Sequence, residues 1–226
     1  MSNSADRIRL LITAGPTHEP IDAVRYLANR SSGRMGIALA EAAVTQTHTV
    51  TLLLGPTHVQ PPNSSQIHTI RFQTTADLQA LLTEHWANHD VLIMAAAVAD
   101  FRPARVDLTV KKRREERGLR LDLEATPDLL AEVAASRRPE QTIIGFALEP
   151  QTQLLASAWE KLQRKGADAI IANPLRTIDS ETVSAVVVLR TGQTMRPPAD
   201  CSKREFADWL LRRLPEITAA AAAERV

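Results

Sequence analysis

The 226-residue chain is predicted to be an α/β protein, with a mostly parallel sheet covered by helices on both faces. Short apolar runs typical of buried strands alternate with helical patterns, and this alternation indicates βαβ units. Ligands of such sheets bind at the carboxyl ends of the strands, where the strand order reverses. The strand candidates are Ile8–Thr13, Thr49–Leu54, Val91–Ala95, Thr142–Phe146, Ala169–Ala172 and Ser184–Leu189.

The helix candidates between the strands carry local start and stop signals. Thr75 and Thr126 are predicted to be N-caps, Pro127 stands at a first helical position, and Gly166 is expected to end a helix. The candidates are Arg34–Thr45, Leu78–Trp86, Pro127–Ala135 and Leu154–Lys165.

Two segments interrupt this alternation. Residues 101–123 combine the basic run Lys111–Arg114 with the alternating Leu119–Leu123, a pattern that predicts a hairpin-like flap with a charged tip. The flap could cover the sheet or serve as a dimerisation arm. The run Ala219–Ala223 is typical of a fraying helix end and belongs to a predicted tail at about 215–226. We expect one domain over residues 1–226.

Composition excludes several classes of function. The net charge of +1 gives no overall attraction to nucleic acid or membranes, and no apolar run is long enough to span a bilayer. Acidic residues follow Lys111–Arg114 and no aromatic residues interleave with it, which disfavours a nucleic-acid patch. A single cysteine, Cys201, rules out an intrachain disulfide framework and fits the reducing cytoplasm, where we expect the protein to act.

The turn Ser31-Ser32-Gly33 opens the first predicted helix and is the strongest candidate for a binding site. Such a turn offers unpaired N–H groups, two hydroxyls and the positive end of the helix dipole, an arrangement that favours phosphate. The alternative is an ordinary N-cap formed by Ser31 or Ser32, with nothing bound. Asn29 and Arg25 add polar groups that a cap does not need.

Further candidates lie at other strand ends and helix starts. Ala95 and Ala96 would allow close approach of a flat ligand, with Asp100 beside it, although tight packing and an Asx turn explain the same residues. Phe146 could stack on a base or simply be buried.

No G-x-G-x-x-G or Walker sequence follows the first strand, which disfavours a nicotinamide-dependent reductase or a P-loop enzyme. His85 and His89 are spaced i,i+4 without the glutamate of a metalloprotease.

In this order, the motifs resemble phosphopantothenoylcysteine synthetase, the phosphopantothenate–cysteine ligase family of coenzyme A biosynthesis. The resemblance covers about Arg9 to Leu214. The matching motifs are Thr13–Thr17, Glu19–Asp22, Val24–Tyr26, Asn29–Gly36, Ala95–Phe101, Thr126–Asp128, Gly145–Ala147 with Glu149, and Asp168–Asn173.

The resemblance implies a homodimeric Rossmann-like fold and a two-step ligation of 4′-phosphopantothenate and L-cysteine. The substrate carboxylate first attacks the α-phosphate of a nucleoside triphosphate, with Mg²⁺ present. CTP is the expected nucleotide, and ATP is the alternative. Cysteine then displaces the nucleotide from the acyl-nucleotide. Bacterial members are commonly fused to a flavin-dependent decarboxylase, for which this length leaves no room, so a stand-alone form without flavin is expected. A nucleotide-binding paralogue without ligase activity is the alternative.

The resemblance also assigns residues. Asn29 would hold the acyl-nucleotide, Arg25 would lie near phosphopantothenate, and Lys111 would serve activation. The family usually has Lys-Ile-Lys-Lys where this chain has Thr109-Val110-Lys111-Lys112. Either the loop is about one residue shorter and Lys111 takes the role of the family's first flap lysine, which we expect, or that lysine is missing. Leu148 also departs from the usual pattern, near the base pocket. The metal ligands stay unassigned. The expected nucleotide-binding residues are Gly15, Ser31, Ser32, Gly33, Ala95, Ala96, Asp100, Pro127, Asp128, Leu129, Leu130, Phe146, Lys161 and Lys165.

Overall fold

The computed structural model describes residues 7–111, 118–177, 180 and 182–225. Lys112, Arg113 and Arg114 of the predicted flap tip lie outside the described residues. The helices are α1 (Arg34–Thr45), α2 (Thr75–His85), α3 (Leu129–Ala135), α4 (Leu154–Lys165), α5 (Lys203–Arg212) and α6 (Leu214–Ala223). The strands are β1 (Arg9–Ala14), β2 (His18–Pro20), β3 (Tyr26–Ala28), β4 (Thr49–Leu54), β5 (Ile67–Arg71), β6 (Val91–Met94), β7 (Phe101–Pro103), β8 (Leu123–Ala125), β9 (Thr142–Glu149), β10 (Ala169–Pro174), β11 (Thr182–Val183), β12 (Val186–Leu189), β13 (Thr194–Met195) and β14 (Cys201–Ser202).

The central sheet has eight strands in the order β13-β12-β10-β9-β6-β1-β4-β5. The strands from β10 to β5 in this order run parallel, whereas β12 and β13 add antiparallel partners at one edge. After β1 the chain builds β4 and β5 on one side and then returns to place β6 on the other. The strand order therefore reverses between β1 and β6, which opens a crevice at their carboxyl ends.

Successive residues of β1 point to opposite faces, and this alternation divides the core in two. Leu10 and Ile12 pack in a cluster with α1, α5 and α6, which includes the fully buried Phe206. Leu11 belongs to the opposite cluster with α2, α3 and α4, which includes Leu162. Helices thus cover both faces, and the predicted Rossmann-like α/β class is confirmed.

Two of the predicted N-caps are wrong by one or two residues. Thr74, rather than Thr75, caps α2 through a capping box with Asp77, and Thr75 donates its hydroxyl to Glu19 Oε1 at 2.7 Å. Asp128, rather than Thr126, caps α3 by accepting from the Ala131 N–H at 3.3 Å. In both cases the threonine hydroxyl is engaged elsewhere.

The flap prediction is confirmed in its described part. β7 pairs antiparallel with β8, with Phe101 opposite Ala125, so the second arm begins at Leu123 and not at Leu119. A second small hairpin, β2–β3, lies beside it, and the Ala23 N–H donates to the Val110 carbonyl at 3.1 Å. The two hairpins form one projecting unit next to the sheet.

The C-terminal segment packs against the core. Ile217 and Ala221 of α6 are buried, and Arg225 beyond it reaches the buried carboxylate of Asp168 at 2.6 Å. The alanine run therefore belongs to a packed helix and not to a fraying end. None of the helices formed by the described residues has the length and apolarity that crossing a membrane would require.

Stability should fall in mild acid because burial lowers the pKa of His18, His48 and His89 below the ordinary value of 6.5. The His89 ring lies between the His85 carbonyl at 2.7 Å and the Thr51 hydroxyl at 2.8 Å. The unfolded chain then binds more protons than the folded one below pH 6.5, so stability declines as the pH falls through that value. Urea unfolding midpoints measured from pH 7.5 to pH 5.5 should therefore decrease.

The test variant is His89→Gln, and the control is His58→Gln, because His58 is exposed. The first should weaken the pH dependence and the second should leave it unchanged. A midpoint that does not change with pH in the unmodified protein would contradict the expectation.

Candidate active site

A cleft of about 860 Å³ lies at the carboxyl ends of β1 and β6, where the strand order reverses. Three backbone segments form its walls: the turn that leads into α1, the loop after β6, and the start of α3. Phe146 of β9 and two lysines of α4 also line it. Its volume is in the range of sites for nucleotide-sized ligands.

The floor of the cleft depends on close backbone approach. Gly15 is buried with φ +82°, and its carbonyl accepts from the Ala97 N–H at 2.9 Å. The Thr13 hydroxyl accepts from the Ala96 N–H at 3.1 Å, so the ends of β1 and β6 stay joined beyond the regular sheet. A Cβ atom on Gly33 would lie 3.4 Å from the Gly15 nitrogen, and Gly33 itself has φ +73°. Glycine at both positions therefore lets the α1 turn rest directly on the strand end.

The start of α1 carries no side-chain cap among the described residues. The N-cap position is Gly33, and Ser31 Oγ accepts only from the Gly33 N–H, at 3.4 Å. The alternative of an ordinary serine cap is therefore not what the structure shows. The first turn contains no acidic side chain either, and Arg34, Met35 and Gly36 line the cleft. Backbone N–H groups and the positive helix end thus face a cavity that suits an anion.

Asn29 connects the α1 turn to the loop after β6. Its Nδ2 donates to the Val98 carbonyl at 2.8 Å, which fixes the orientation of the side-chain amide at the edge of the cleft. Thr57 Oγ1 donates to the Ser32 carbonyl at 2.7 Å and holds the same turn from the opposite side. The amide of Asn29 is therefore pre-positioned without a ligand.

Each of the two α4 lysines is paired with a carboxylate, one from Asp128 in the cleft lining and the other from Glu149 at the end of β9. Lys161 Nζ lies 2.5 Å from Glu149 Oε1, and Lys165 Nζ lies 3.2 Å from Asp128 Oδ1. Both ammonium groups are partly exposed. A polyphosphate entering the cleft would compete with these carboxylates for the lysines.

The remaining wall places an aromatic ring beside a helix start. Phe146 is half-buried and lines the cleft. A Cβ atom on the preceding Gly145 would lie 2.9 Å from Leu130 Cδ2, so glycine there allows α3 to lie close to β9. The Asp100 carbonyl accepts from the Thr126 N–H at 3.0 Å, which joins the loop after β6 to the segment before α3.

The structure brings most of the predicted site residues together. Gly15 lies beneath Gly33 and is not itself in the cleft lining, whereas Arg25 and Lys111 belong to the two hairpins beside the cleft. Arg25 Nε donates to the buried Asp22 at 3.0 Å. The predicted residues that line the cleft are Asn29, Ser31, Ser32, Gly33, Ala95, Ala96, Asp100, Pro127, Asp128, Leu129, Leu130, Phe146, Lys161 and Lys165.

The sequence analysis missed several residues of the lining, among them Asn173, Thr182 and Lys203. Asn173 lies near the carboxyl end of β10, a position that could have identified it. Lys203 opens α5 beside the cleft, and no local signal in the sequence connects it with β6.

No cluster of three or more histidine, cysteine, aspartate or glutamate side chains suited to a metal occurs in the described part of the chain. The predicted i,i+4 pair His85 and His89 is not such a site, since both ring nitrogens of His89 have protein partners. Asp128 in the cleft lining and Glu149 at the end of β9 are each paired with a lysine.

Comparison with known proteins gives one family. The model of the DNA/pantothenate metabolism flavoprotein C-terminal domain matches residues 5–217. The coenzyme A biosynthesis bifunctional protein CoaBC of Vibrio cholerae is 40% identical over 166 residues, which cover 73% of this chain and 41% of that protein. A second relative, named cysteine/cysteine sulfinic acid decarboxylase, comes from an unknown prokaryotic organism. It is 42% identical over 171 residues, which cover 74% of this chain and 46% of that protein.

The chain thus spans less than half the length of these two relatives. The crystal structure of the C-terminal domain of CoaBC superimposes with a TM-score of 0.79 at 34% identity, covering 94% of this chain and 96% of that one. These matches confirm the family suggested by the sequence motifs: the chain belongs to the DNA/pantothenate metabolism flavoprotein C-terminal domain family.

Proposed function

We propose that this protein is a phosphopantothenate–cysteine ligase that activates its substrate with a nucleoside triphosphate, preferentially CTP. The observation that carries the proposal is the convergence, in one cleft, of the uncapped start of α1, the small-residue end of β6 and the lysines of α4. The relationship to CoaBC, a protein of coenzyme A biosynthesis, supports the substrate class.

The proposed chemistry has two steps. An oxygen of the 4′-phosphopantothenate carboxylate attacks the α-phosphorus of CTP, the bond to the bridging oxygen breaks, and pyrophosphate leaves. The amine of cysteine then attacks the acyl carbon of the mixed anhydride, loses a proton and displaces CMP to form the amide. Mg²⁺ brought in with the nucleotide would offset part of the phosphate charge. The N–H groups of α1 and the ammonium groups of Lys161 and Lys165 stabilise the charge that develops on the phosphates.

Base recognition would lie at the opposite wall, where Phe146 offers a stacking surface. Leu148 follows it along β9 and is 41% exposed in the cleft lining. In this proposal, these two side chains contribute to the choice between cytosine and adenine. The backbone of Ala95 and Ala96 and the carboxylate of Asp100 suit the ribose side of the ligand.

We further propose that the protein is a homodimer in which the flap and the β2–β3 hairpin meet their counterparts. Val24 and Leu108 are 60% and 61% exposed, and Tyr26, Phe101 and Val110 are also at least half exposed. A projecting unit with this many exposed apolar side chains is typical of a protein interface. Arg25 and Lys111 lie on the same unit, so they would reach the cleft of the second copy.

Mixed dimers test this arrangement. Lys111→Ala and Asn29→Ala should each be inactive alone, whereas unfolding and refolding an equal mixture should restore about a quarter of the wild-type rate, because half of the dimers contain one intact composite site. The measurement is amide formation from CTP, 4′-phosphopantothenate and cysteine. No recovery in verified mixed dimers would show that flap and cleft act within one subunit, and full activity of Lys111→Ala alone would contradict its role.

The decisive experiment for the function is pyrophosphate release with each of the four nucleoside triphosphates. We expect release with CTP only when 4′-phosphopantothenate is present, and amide product only after cysteine is added. CTP binding by calorimetry without turnover would instead support the alternative of a paralogue that kept the fold and lost the chemistry. Binding of NADPH in a parallel titration would favour a reductase.

A further inference from the structure

The peptide unit between Val98 and Ala99 is hydrogen-bonded at both of its edges. Its carbonyl accepts from Asn29 Nδ2 at 2.8 Å, and its N–H donates to Thr17 Oγ1 at 3.0 Å. No cis peptide bond occurs among the described residues, and a trans peptide unit is planar, with its carbonyl and its N–H pointing in opposite directions. The Asn29 amide and the Thr17 hydroxyl therefore bind one rigid plane from opposite sides.

The two partners of this peptide unit differ in how firmly they are held. Asn29 is exposed at the edge of the cleft, so several rotamers are open to it unless its amide is bound. Thr17 is fully buried, and its backbone N–H also donates to the Ala97 carbonyl at 3.2 Å. The orientation of the Val98 carbonyl, and with it that of the Asn29 amide, is therefore set from the Thr17 side.

A buried carboxylate stands behind the Thr17 hydroxyl. Thr75 Oγ1 lies 3.4 Å from Thr17 Oγ1 and donates to Glu19 Oε1 at 2.7 Å. The same carboxylate oxygen accepts from the Thr75 N–H at 2.8 Å, at the first residue of α2. Thr75 and Glu19 are both buried, and a buried polar network whose members are bound to one another favours a single arrangement of the elements that it joins.

The neighbouring peptide units of the loop after β6 are held by other groups. The Ala97 N–H donates to the Gly15 carbonyl at 2.9 Å, and the Ala99 carbonyl accepts from the Thr126 hydroxyl at 2.5 Å. Neither of these bonds involves the Thr17 side chain. Loss of the Thr17 hydroxyl would therefore release the Val98–Ala99 unit and leave the rest of the loop in place.

We propose that Thr17 is a positioning residue for Asn29, acting through the Val98–Ala99 peptide unit and supported from behind by Thr75 and Glu19. Thr17 does not line the cleft, so it would not touch a ligand itself. The alternative is a network that joins the β2–β3 hairpin to α2 and contributes to stability alone. The expected kinetic effect rests on the proposed function, in which Asn29 holds the acyl-nucleotide, whereas the geometry of the peptide unit does not.

Nitrogen–proton correlation NMR tests the geometry without any turnover. Thr17→Val removes the hydroxyl at nearly constant size, and Thr17→Ser keeps it. In Thr17→Val, the Ala99 N–H should exchange with solvent about 10-fold to 100-fold faster, because its acceptor is gone. The side-chain amide signals of Asn29, assigned by their loss in Asn29→Ala, should move as well. Thr17→Ser should retain both properties of the unmodified protein.

A quenched single turnover tests the consequence for the reaction. In Thr17→Val, pyrophosphate release should continue at nearly the unmodified rate, whereas amide formation should slow by about 10-fold to 100-fold because Asn29 is less often oriented. Thr17→Ser should restore amide formation. Adding Thr17→Val to Asn29→Ala should cause no further loss, since Thr17 acts through Asn29. A further loss of the same size in this double variant would overturn the proposal.

The matched control is Thr51→Val, which removes a hydroxyl that lies 2.8 Å from His89 Nε2 and outside the cleft. It should change neither the Asn29 signals nor amide formation. Should Thr17→Val not fold, Thr75→Val removes the supporting hydroxyl and should give smaller changes in the same direction.

Unchanged Ala99 exchange and Asn29 signals in folded Thr17→Val would overturn the proposal, and so would equal loss of both reaction steps. If the unmodified protein does not turn over CTP, the proposed function fails, and the NMR comparison still decides whether Thr17 positions Asn29.

Discussion

Replacing Asn29 with alanine should stop amide formation while pyrophosphate release in a single turnover continues. The Asn29 side chain is anchored by the Val98 carbonyl at 2.8 Å, and its remaining amide groups are expected to hold the acyl-nucleotide while cysteine enters. In the proposed mechanism, activation depends on the α1 turn and the lysines, and this substitution leaves those groups in place. Loss of one oriented hydrogen-bonding group of this kind lowers a rate by about 100-fold to 1,000-fold.

The measurement is a quenched single turnover in which acyl-cytidylate, pyrophosphate and amide are quantified separately. We expect the acyl-cytidylate to accumulate in Asn29→Ala and to be short-lived in the unmodified protein. The control is Asn63→Ala, which truncates an exposed asparagine outside the cleft and should change neither step. Equal loss of activation and amide formation in Asn29→Ala would contradict the assigned role.

Replacing Asp168 with asparagine should destabilise the protein strongly, because this carboxylate is the shared anionic partner of two largely buried arginines. Its side chain is fully buried, with Arg137 Nη1 at 3.0 Å from both oxygens and Arg225 Nη2 at 2.6 Å from Oδ1. Oδ2 also accepts from the Ile143 N–H at 2.8 Å. Burial already lowers the pKa of Arg137, which shows how poorly the site solvates a cation. Removing one partner of such a pair costs about 3–5 kcal/mol.

Urea unfolding at pH 7.5 measures this loss in free energy. The control is Glu140→Gln, which breaks the ion pair with Arg138 at the surface, where both side chains are at least 40% exposed. Solvent screens an exposed pair of this kind, so the control should remain close to the unmodified protein in stability. A change below about 1 kcal/mol in Asp168→Asn would contradict the view that this cluster anchors the C-terminal segment.

Several elements could be predicted from sequence because local signals and burial agree. The predicted bounds of α1, β4 and α4 are those of the structure. Continuous apolar patterns mark all three elements, and Gly166, in the left-handed conformation, ends α4. β5 was missed because its residues are only half-buried or exposed at the sheet edge and form no apolar run. α5 was missed as well, although Ser202 and Glu205 form a capping box that could have revealed it.

The same distinction applies to the candidate site, where residues with a local sequence signal could be predicted and residues placed by distant contacts could not. Ser31–Gly33 and Ala95–Asp100 could be predicted because each stands at a strand end or a helix start, and the fold brings such positions to one edge of the sheet. The positions of Arg25 and Lys111 could not, since the packing of one hairpin on another depends on contacts distant in sequence. The same holds for the pairing of the lysines with Glu149 and Asp128, which only the assembled cleft reveals.

The exposed beginning of α1 also limits how this protein can be engineered. A designer seeking greater heat tolerance would be drawn to the N-cap of α1, although a capping side chain in place of glycine adds only about a few tenths of a kcal/mol and a Cβ atom at residue 33 would lie 3.4 Å from the Gly15 nitrogen. That side chain would occupy the N–H groups that a triphosphate is expected to use. Heat resistance gained at residue 33 should therefore come with weaker nucleotide affinity, whereas the same gain sought on the outer face of α4 should leave affinity intact.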